Sequence, residues 1–334
     1  MNLVQAELER LGARRFVQLM LVLLVAAFAV TVATTVAGSH QPTANELEQA
    51  REDVRDQAVA NERWLRECRA SLEGTTPEQT GGKSVADCEV FASGPPRIED
   101  HLSGVFVFER QMPGLIYFLI TFLALFGFLV GASYIGADLN SGGMTNLLLW
   151  RPQRLTVLGT KLGTLLGGVL GVSMVASALY LGAFWLVGET RGYPGTLDGD
   201  FWNMILTTTI RGWILTLLVT AVGFAIAVLG RHTAAALGVL AGYTVLWEGG
   251  ARIVMQIIDA PRPDVLMLSS YVGAWILGQI RLTEQDRVCD PGPAGFCQVS
   301  DYMLHWPTAL LVLLVVVGGL VLGSFAAFRR RDLA

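Results

Sequence analysis

Three charged residues lie within apolar stretches long enough to be membrane spans. Glu248 and Arg252 are four residues apart and would share one helix face, and Arg211 lies in the apolar run before them. A charge inside a membrane is costly and is by default a functional hypothesis. Two interpretations stay open: an ion pair that locks helix packing, or a hydrated translocation path with a gate. The Gly249-Gly250 pair between them favours a bent helix, which suits a gate.

The residue patterns of catalytic and metal sites are missing from the sequence. The four histidines form no His-Glu-x-x-His motif, and no Gly-x-Ser-x-Gly sequence occurs. Gly81-Gly82-Lys83-Ser84 matches the end of a phosphate-binding loop, but Pro77 stands where that motif requires glycine. We therefore expect no catalytic residue, no metal and no cofactor in this chain. An intramembrane enzyme built on Glu248 and Arg252 is the less favoured alternative.

The cysteines indicate which regions lie outside the cytoplasm. All four fall in two long polar regions and none lies in an apolar run. Disulfides persist outside the cytoplasm, so these regions are expected on the outer face. The pairs Cys68–Cys88 and Cys289–Cys297 would each close a local loop, while the other connectivities and four free thiols stay open.

Composition defines the class of protein. The chain has 334 residues, of which 52% are hydrophobic and only 16% charged, against about 25% charged in a soluble domain. The net charge of −4 gives no support for nucleic acid binding, which requires a basic face. Among the 24 basic residues only Lys83 and Lys161 are lysines, and this arginine bias points to a GC-rich, bacterial genome.

The apolar runs predict an all-α polytopic membrane protein with six transmembrane helices. Spanning the hydrocarbon core takes about 20 apolar residues. The predicted spans are residues 16–38, 114–137, 162–187, 202–230, 233–258 and 306–328. The connections are an N-terminal amphipathic helix (1–15), an outer helical insertion (39–113), a cytoplasmic coupling loop (138–161), an outer loop (188–201), an outer region (259–305) and a tail (329–334).

Two of these outer regions contain predicted helices of their own. Thr43 to Glu46 forms a Thr-x-x-Glu capping box that leads into a polar helix over Leu47–Leu72. This helical cap would be a lid or docking module, or a decoration without contact to cargo. Val265–Ile280 is apolar but only 16 residues long, which predicts a re-entrant or interfacial helix rather than a seventh span.

The distribution of charge predicts the orientation. The four proposed inner ends hold ten basic and four acidic residues, whereas the short outer loop 188–201 holds one basic and three acidic residues. The positive-inside rule then puts both termini in the cytoplasm. We expect a multi-pass protein of the plasma (inner) membrane.

A row of small residues runs along the third span. Gly159, Gly163, Gly167 and Gly171 repeat every four residues and would let helix backbones approach closely. Packing within the chain is the favoured use, and the seam of a homodimer is the alternative.

The loop between the second and third spans has a recognisable pattern. Its predicted short helix Ser141–Trp150 has an apolar knob, Leu147 to Trp150, and Pro152 limits its extent. The pattern resembles the permease subunits of ABC-2 type transporters at Gly136, Asp138, Gly142 or Gly143, the knob, Pro152, Arg154 and Lys161. The ending Phe328-Arg-Arg-Arg-Asp-Leu333 and the amphipathic segment Asn2–Arg14 are also similar to that family.

The resemblance implies the membrane half of an ATP-driven exporter. Two permease copies, identical or different, would pair in the lipid bilayer, each docked on a cytoplasmic ABC ATPase subunit that binds ATP and Mg. The predicted ATPase-coupling residues are Asp138, Leu147, Leu148, Leu149, Trp150, Arg151, Arg154 and Lys161. A membrane-embedded sensor or assembly protein with an extracellular ligand-binding cap is the competing hypothesis.

Overall fold

The computed structural model is built mainly from helices. It describes residues 3–72, 88, 96–144, 153–258, 260, 262–283 and 301–330. Within these ranges five helices are long and apolar enough to cross a bilayer, consistent with an all-α membrane protein. They are α2 (Arg15–Ala37), α4 (Phe108–Asn140), α5 (Arg154–Arg191), α6 (Gly199–Gly230) and α10 (Trp306–Arg330). An amphipathic helix α1 (Leu3–Ala13) precedes them, and α3 (Ala44–Leu72) follows α2.

The predicted span over 233–258 consists of three shorter helical pieces that follow one another directly. They are α7 (Thr233–Gly242), a π-helical segment (Tyr243–Ala251) and α8 (Arg252–Ile257). The turn that precedes α7 is tight because Arg231 adopts a left-handed conformation with φ 56°. His232 Nδ1 then accepts a hydrogen bond from Ala234 N and caps α7. The double glycine predicted to bend this segment therefore lies at the end of a π-helical stretch, a local irregularity frequent at functional sites.

The helices alternate in direction, which gives the bundle two ends. The first, here called the basic end, contains Arg15, Asn140, Arg154, Arg231 and Arg330 at helix termini. At the opposite end, here called the far end, Ser39 Oγ donates to the carbonyl of Arg191 over 2.8 Å. Two residues of β1 (Phe106–Val107) pair there in parallel with β2 (Gly192–Tyr193).

The core lies where α4 packs against α6. Small residues let the two backbones approach: a Cβ added at Gly131 would come within 2.6 Å of the Thr220 carbonyl oxygen, and one at Gly223 within 2.5 Å of the Phe128 carbonyl oxygen. Close contact of this kind is how helices associate in lipid, where burial of apolar surface gives little driving force. Gly127 and Gly131 in α4 therefore allow α4 and α6 to pack closely, which is the role that the sequence predicts for the glycine row of α5.

The segment between α2 and α4 confirms two local predictions. Thr43 N donates to Glu46 Oε2 over 2.7 Å, and Glu46 N donates to Thr43 Oγ1 over 3.3 Å, so the capping box forms and α3 begins at Ala44. Cys68 and Cys88 form a disulfide. Cys289 and Cys297 lie outside the described residues.

The region after α8 is more varied than the predicted single re-entrant helix. A 3₁₀ turn (Pro263–Leu266) leads into α9 (Leu268–Leu277), which ends at Gly278 with φ 90°. Two antiparallel strands then follow, β3 (Gln279–Thr283) and β4 (Asp301–His305). The short apolar helix is present, but it is ten residues long and ends before a hairpin that sequence periodicity does not predict.

Candidate functional site

Five polar side chains from three helices form a cluster at the basic end. This polar cluster consists of Glu7 and Arg14, which belong to or directly follow α1, Tyr134 and Asp138 of α4, and Lys161 of α5. The ammonium of Lys161 lies 2.8 Å from Glu7 Oε2 and 2.8 Å from Asp138 Oδ2. Arg14 pairs with the other oxygen of Asp138 and donates to the Tyr134 carbonyl over 2.8 Å. The Tyr134 hydroxyl donates to Glu7.

The charges of this cluster balance, which is the condition for burying them. Two carboxylates face two cations, and the side chains of Lys161 and Glu7 are only 2% and 3% exposed. Burial of an ionised group costs several kcal/mol unless it is paired and hydrogen-bonded. The Tyr134 ring adds a further contact, since Arg14 and Lys161 lie 4.7 Å and 5.0 Å from its centroid. The cluster therefore fixes α1 to α4 and α5 at one place.

The local sequence explains how these side chains converge. Tyr134 and Asp138 are four residues apart on α4 and so face the same way. The apolar face of α1 rests on α5, where Leu11 packs over Gly168. This contact sets Glu7 beside Lys161. The sequence pattern did not assign Glu7 and Tyr134 to a site. Two features could have indicated the contact between Glu7 and Lys161: Glu7 is an acidic residue on an amphipathic helix, and Lys161 is one of only two lysines in the chain.

Three of the predicted coupling residues are described. Arg154 is the first residue of α5, whereas Asp138 and Lys161 pair with each other and Lys161 is buried. Their contact with a cytoplasmic ATPase stays a prediction. The predicted loop 138–161 is shorter, because α4 continues to Asn140 and α5 begins at Arg154. Leu147, Leu148, Leu149, Trp150 and Arg151 lie outside the described residues.

A second polar site joins the π-helical segment to the start of α9. Glu248 Oε1 accepts from the hydroxyl of Tyr243 over 2.7 Å and from Ser269 N over 3.1 Å, and its Oε2 accepts from Ser269 Oγ over 2.6 Å. Ser269 N belongs to the first turn of α9, where backbone N–H groups have no partner within the helix. A carboxylate there is favoured by the helix dipole as well. Glu248 thus acts as a cap for a helix other than its own.

The predicted Glu248–Arg252 pair does not form. Arg252 pairs instead with Asp264, in the 3₁₀ turn before α9. Both residues of the predicted pair thus connect the π-helical segment and α8 to the following segment, Glu248 at the start of α9 and Arg252 in the 3₁₀ turn before it. The spacing of four residues fits an α-helix, but the π-helical winding over Glu248 changes which side chains share a face.

Arg211 belongs to a third environment. Its guanidinium carbon lies 5.8 Å and 5.7 Å from the ring centroids of Trp275 and Trp306, and Nη1 lies 3.5 Å from the carbonyl oxygen of Ile276 near the end of α9. Trp275 Nε1 donates to the Arg211 carbonyl over 2.9 Å. Arg211 therefore does not join Glu248 and Arg252 in one gate.

The glycine row of α5 is mostly open in the described part of the chain. A Cβ added at Gly163, Gly167 or Gly171 would have no heavy-atom neighbour within 4 Å, and one at Gly159 would meet only Phe325 at 3.9 Å. Among the described residues, packing within the chain is therefore seen only at Gly159, and the use of the other three glycines stays a prediction. The row instead lines an open groove beside Leu8 of α1.

These features define a mainly helical protein with five candidate membrane-spanning helices and a buried ionic cluster at the basic end. Among the described residues, no three His, Cys, Asp or Glu side chains come together to hold a metal ion. No protein-family profile, no curated protein and no solved structure matches the chain. A functional assignment therefore depends on the residues and the geometry of the chain itself.

Proposed function

We propose that this chain is the permease subunit of an ATP-driven exporter of the ABC-2 type. In this proposal it lies in a bacterial plasma membrane with both termini in the cytoplasm. The grouping of basic helix termini at one end supports that orientation, because short basic segments stay on the cytoplasmic side. The disulfide in the insertion, on the far end, supports it as well.

The observation that carries the proposal is the ion pair between Asp138 and Lys161. These residues belong to the two helices that flank the connection 141–153, and Lys161 also binds Glu7 of α1. A force applied to the connection would therefore reach α4, α5 and α1 together instead of bending one helix. Coupling of this kind needs a contiguous physical network, which the buried ion pairs supply.

The partner in this proposal is a cytoplasmic ABC ATPase subunit that binds ATP and Mg. The knob Leu147–Trp150 lies in the connection between α4 and α5 and would fill an apolar groove of that subunit. Closure of two ATPase subunits would move the connections of two permease copies. The open glycine groove of α5 offers a surface against which the second permease copy would pack.

A substitution in the knob tests the proposal. The chain is co-expressed with a candidate ATPase from the neighbouring reading frame, purified and reconstituted in vesicles. Leu148→Glu should insert normally but lower co-purification and permease-dependent ATP hydrolysis about tenfold or more, as expected for an interface hot spot. Leu155→Glu is the matched control, since Leu155 is an exposed leucine in the first turn of α5, outside the knob. Unchanged co-purification and ATPase stimulation in Leu148→Glu would rule out this mode of coupling.

A further inference from the structure

A small cavity opens beside Arg211 at the far end of the bundle. Its volume is about 250 Å³, and its walls come from α6, α4 and the last turn of α9. Asn203, Thr207 and Arg211 line it from α6, at intervals of four residues and therefore on one helix face. Tyr117 of α4 and Leu277 of α9 complete the walls. A polar row of this kind on a membrane helix is costly unless a polar group occupies the space it faces.

Arg211 provides the charge of this cavity. Among the described residues it forms no ion pair with a carboxylate. Within the described ranges its guanidinium donates one hydrogen bond, the contact of 3.5 Å with the Ile276 carbonyl oxygen, so one donor of five is used, and weakly. The two tryptophan faces stabilise the positive charge but accept no conventional hydrogen bond. The remaining donors suit an anion with several oxygen atoms.

The level of the cavity identifies which anions would reach it. Trp306 is the first residue of α10, and it is 43% exposed. Tryptophan rings gather at the headgroup level of a bilayer. Arg211 lies next to Trp306, so its guanidinium is at the depth where phosphate groups and the first tail carbons meet. The exposed apolar surface of Met204 and Leu277 borders the same cavity.

We propose that this cavity binds the phosphate group of an amphiphile, with Arg211 as the anion-binding residue and Asn203 and Thr207 as supporting donors. The apolar tail leaves the cavity over the exposed side chain of Leu277. Asp200, the acidic residue that also lines the cavity, is eleven positions from Arg211, about 16 Å along the helix axis at 1.5 Å per residue. It therefore lies at the outer rim, while the phosphate is held at the inner end. The proposal does not depend on the transport function.

The test compares Arg211→Gln with Arg191→Gln, which removes an exposed arginine from the same end of the bundle. Each protein is released from nanodiscs made of phosphatidylglycerol and a phosphate-free galactolipid, and the retained lipid is counted by native mass spectrometry. Wild type and Arg191→Gln should retain phosphatidylglycerol in preference to the galactolipid. Arg211→Gln should retain about tenfold less, the loss expected for a charge-assisted hydrogen bond. Equal retention by Arg211→Gln, or an equal loss in Arg191→Gln, would overturn the proposal.

Two further measurements keep the test decisive. The first adds inorganic phosphate to the detergent-solubilised protein and tests whether a free phosphate binds the same site. A rise in the unfolding temperature of wild type that Arg211→Gln lacks supports the site with free phosphate as its ligand. If Arg211→Gln does not fold, Thr207→Val replaces it, because Thr207 is exposed and lies on the cavity wall. It should weaken phosphatidylglycerol retention about threefold, as loss of one neutral hydrogen bond does. No change in this variant would then contradict the proposal.

Discussion

Lys161 of α5 donates to Glu7 of α1 over 2.8 Å, and the two side chains are almost completely buried although 154 positions separate them in the chain. This contact is the centre of the polar cluster, because Lys161 also binds Asp138 and Glu7 also accepts from Tyr134. It makes the N-terminal helix a structural part of the bundle. In the proposed permease, any movement of the connection between α4 and α5 would be shared with α1.

We expect Lys161→Met to be strongly destabilising. It leaves the Glu7 carboxylate buried with only the Tyr134 hydroxyl and the more distant Arg10 beside it, and removal of one partner of a buried pair costs about 3–5 kcal/mol. In the double variant with Glu7→Gln the penalty should be smaller than the sum of the single effects by about 1–3 kcal/mol. Unfolding in detergent micelles measures all three free energies.

Arg10→Met is the control for this prediction. Arg10 Nη1 also lies 3.5 Å from Glu7, but the Arg10 side chain is 58% exposed. An exposed pair of this kind contributes about 1 kcal/mol or less. If Lys161→Met cost no more than Arg10→Met, the polar cluster would not be what holds α1 in place.

Glu248 should be energetically coupled to Ser269 and not to Arg252. A double-mutant cycle of Glu248→Gln with Ser269→Ala should give a coupling of about 1 kcal/mol or more, because the bonds involve an ionised group. The cycle of Glu248→Gln with Arg252→Gln should stay within about 0.5 kcal/mol, the range for residues without shared partners. Arg252→Gln with Asp264→Asn serves as the positive control. Strong coupling between Glu248 and Arg252 would restore the interpretation that sequence spacing suggests.

The two glycine rows should respond in opposite ways to alanine. Gly131→Ala forces a methyl group against the Thr220 carbonyl and should cost about 1–3 kcal/mol, as overpacking does. Gly163→Ala meets no neighbour and should leave stability unchanged or raise it by up to about 1 kcal/mol, the helix-propensity difference between alanine and glycine. Thermal unfolding of the two variants gives the comparison.

Cross-linking tests whether a second permease copy covers the glycine groove of α5. If a second permease copy covers it, Gly163→Leu should reduce cross-linking between copies in membranes while the monomer stays folded. Undiminished cross-linking in that variant would place the contact between copies on another face.

The first turn of α3 should be sensitive to acid. The pKa of Glu46 is lowered from 4.5, first because Thr43 N–H donates to its carboxylate, and then because the His40 ring and the Thr43 hydroxyl bond to it. A lowered pKa means that the cap stabilises the helix above pH 4.5 and is lost as pH falls through the lower, folded-state value. Hydrogen exchange at the first amides of α3, corrected for its intrinsic pH dependence, should show protection decreasing in that range.

Two variants make this acid response specific to the cap. Glu46→Gln removes the titrating group, so protection should no longer vary in that range. Glu48→Gln is the matched control, because Glu48 is an exposed residue two positions further along the same helix, and it should leave the response intact. Persistence of the acid response in Glu46→Gln would mean that another group controls this helix end.

Local chemistry explains which predictions agree with the structure. The capping box at Thr43 and Glu46 and the disulfide between Cys68 and Cys88 involve residues close in sequence, and both are present. The long apolar runs become helices because backbone groups in lipid must be satisfied within the segment. Each of these properties can be read from a short window of residues. The boundaries moved outward, as at Asn140 and Arg154, because polar ends of membrane helices continue the same hydrogen-bonding ladder beyond the apolar run.

By itself, then, the sequence determined the mainly helical membrane class, the order of the long apolar helices, the basic end of the bundle and the local cap and disulfide, since all of these follow from composition and nearest neighbours along the chain. Only the tertiary structure decided which partner each charged side chain meets. Glu7 with Lys161, Glu248 with Ser269 and Arg252 with Asp264 join residues 12 to 154 positions apart. A charge removed from water needs a partner, and the partner is set by how the helices pack and wind.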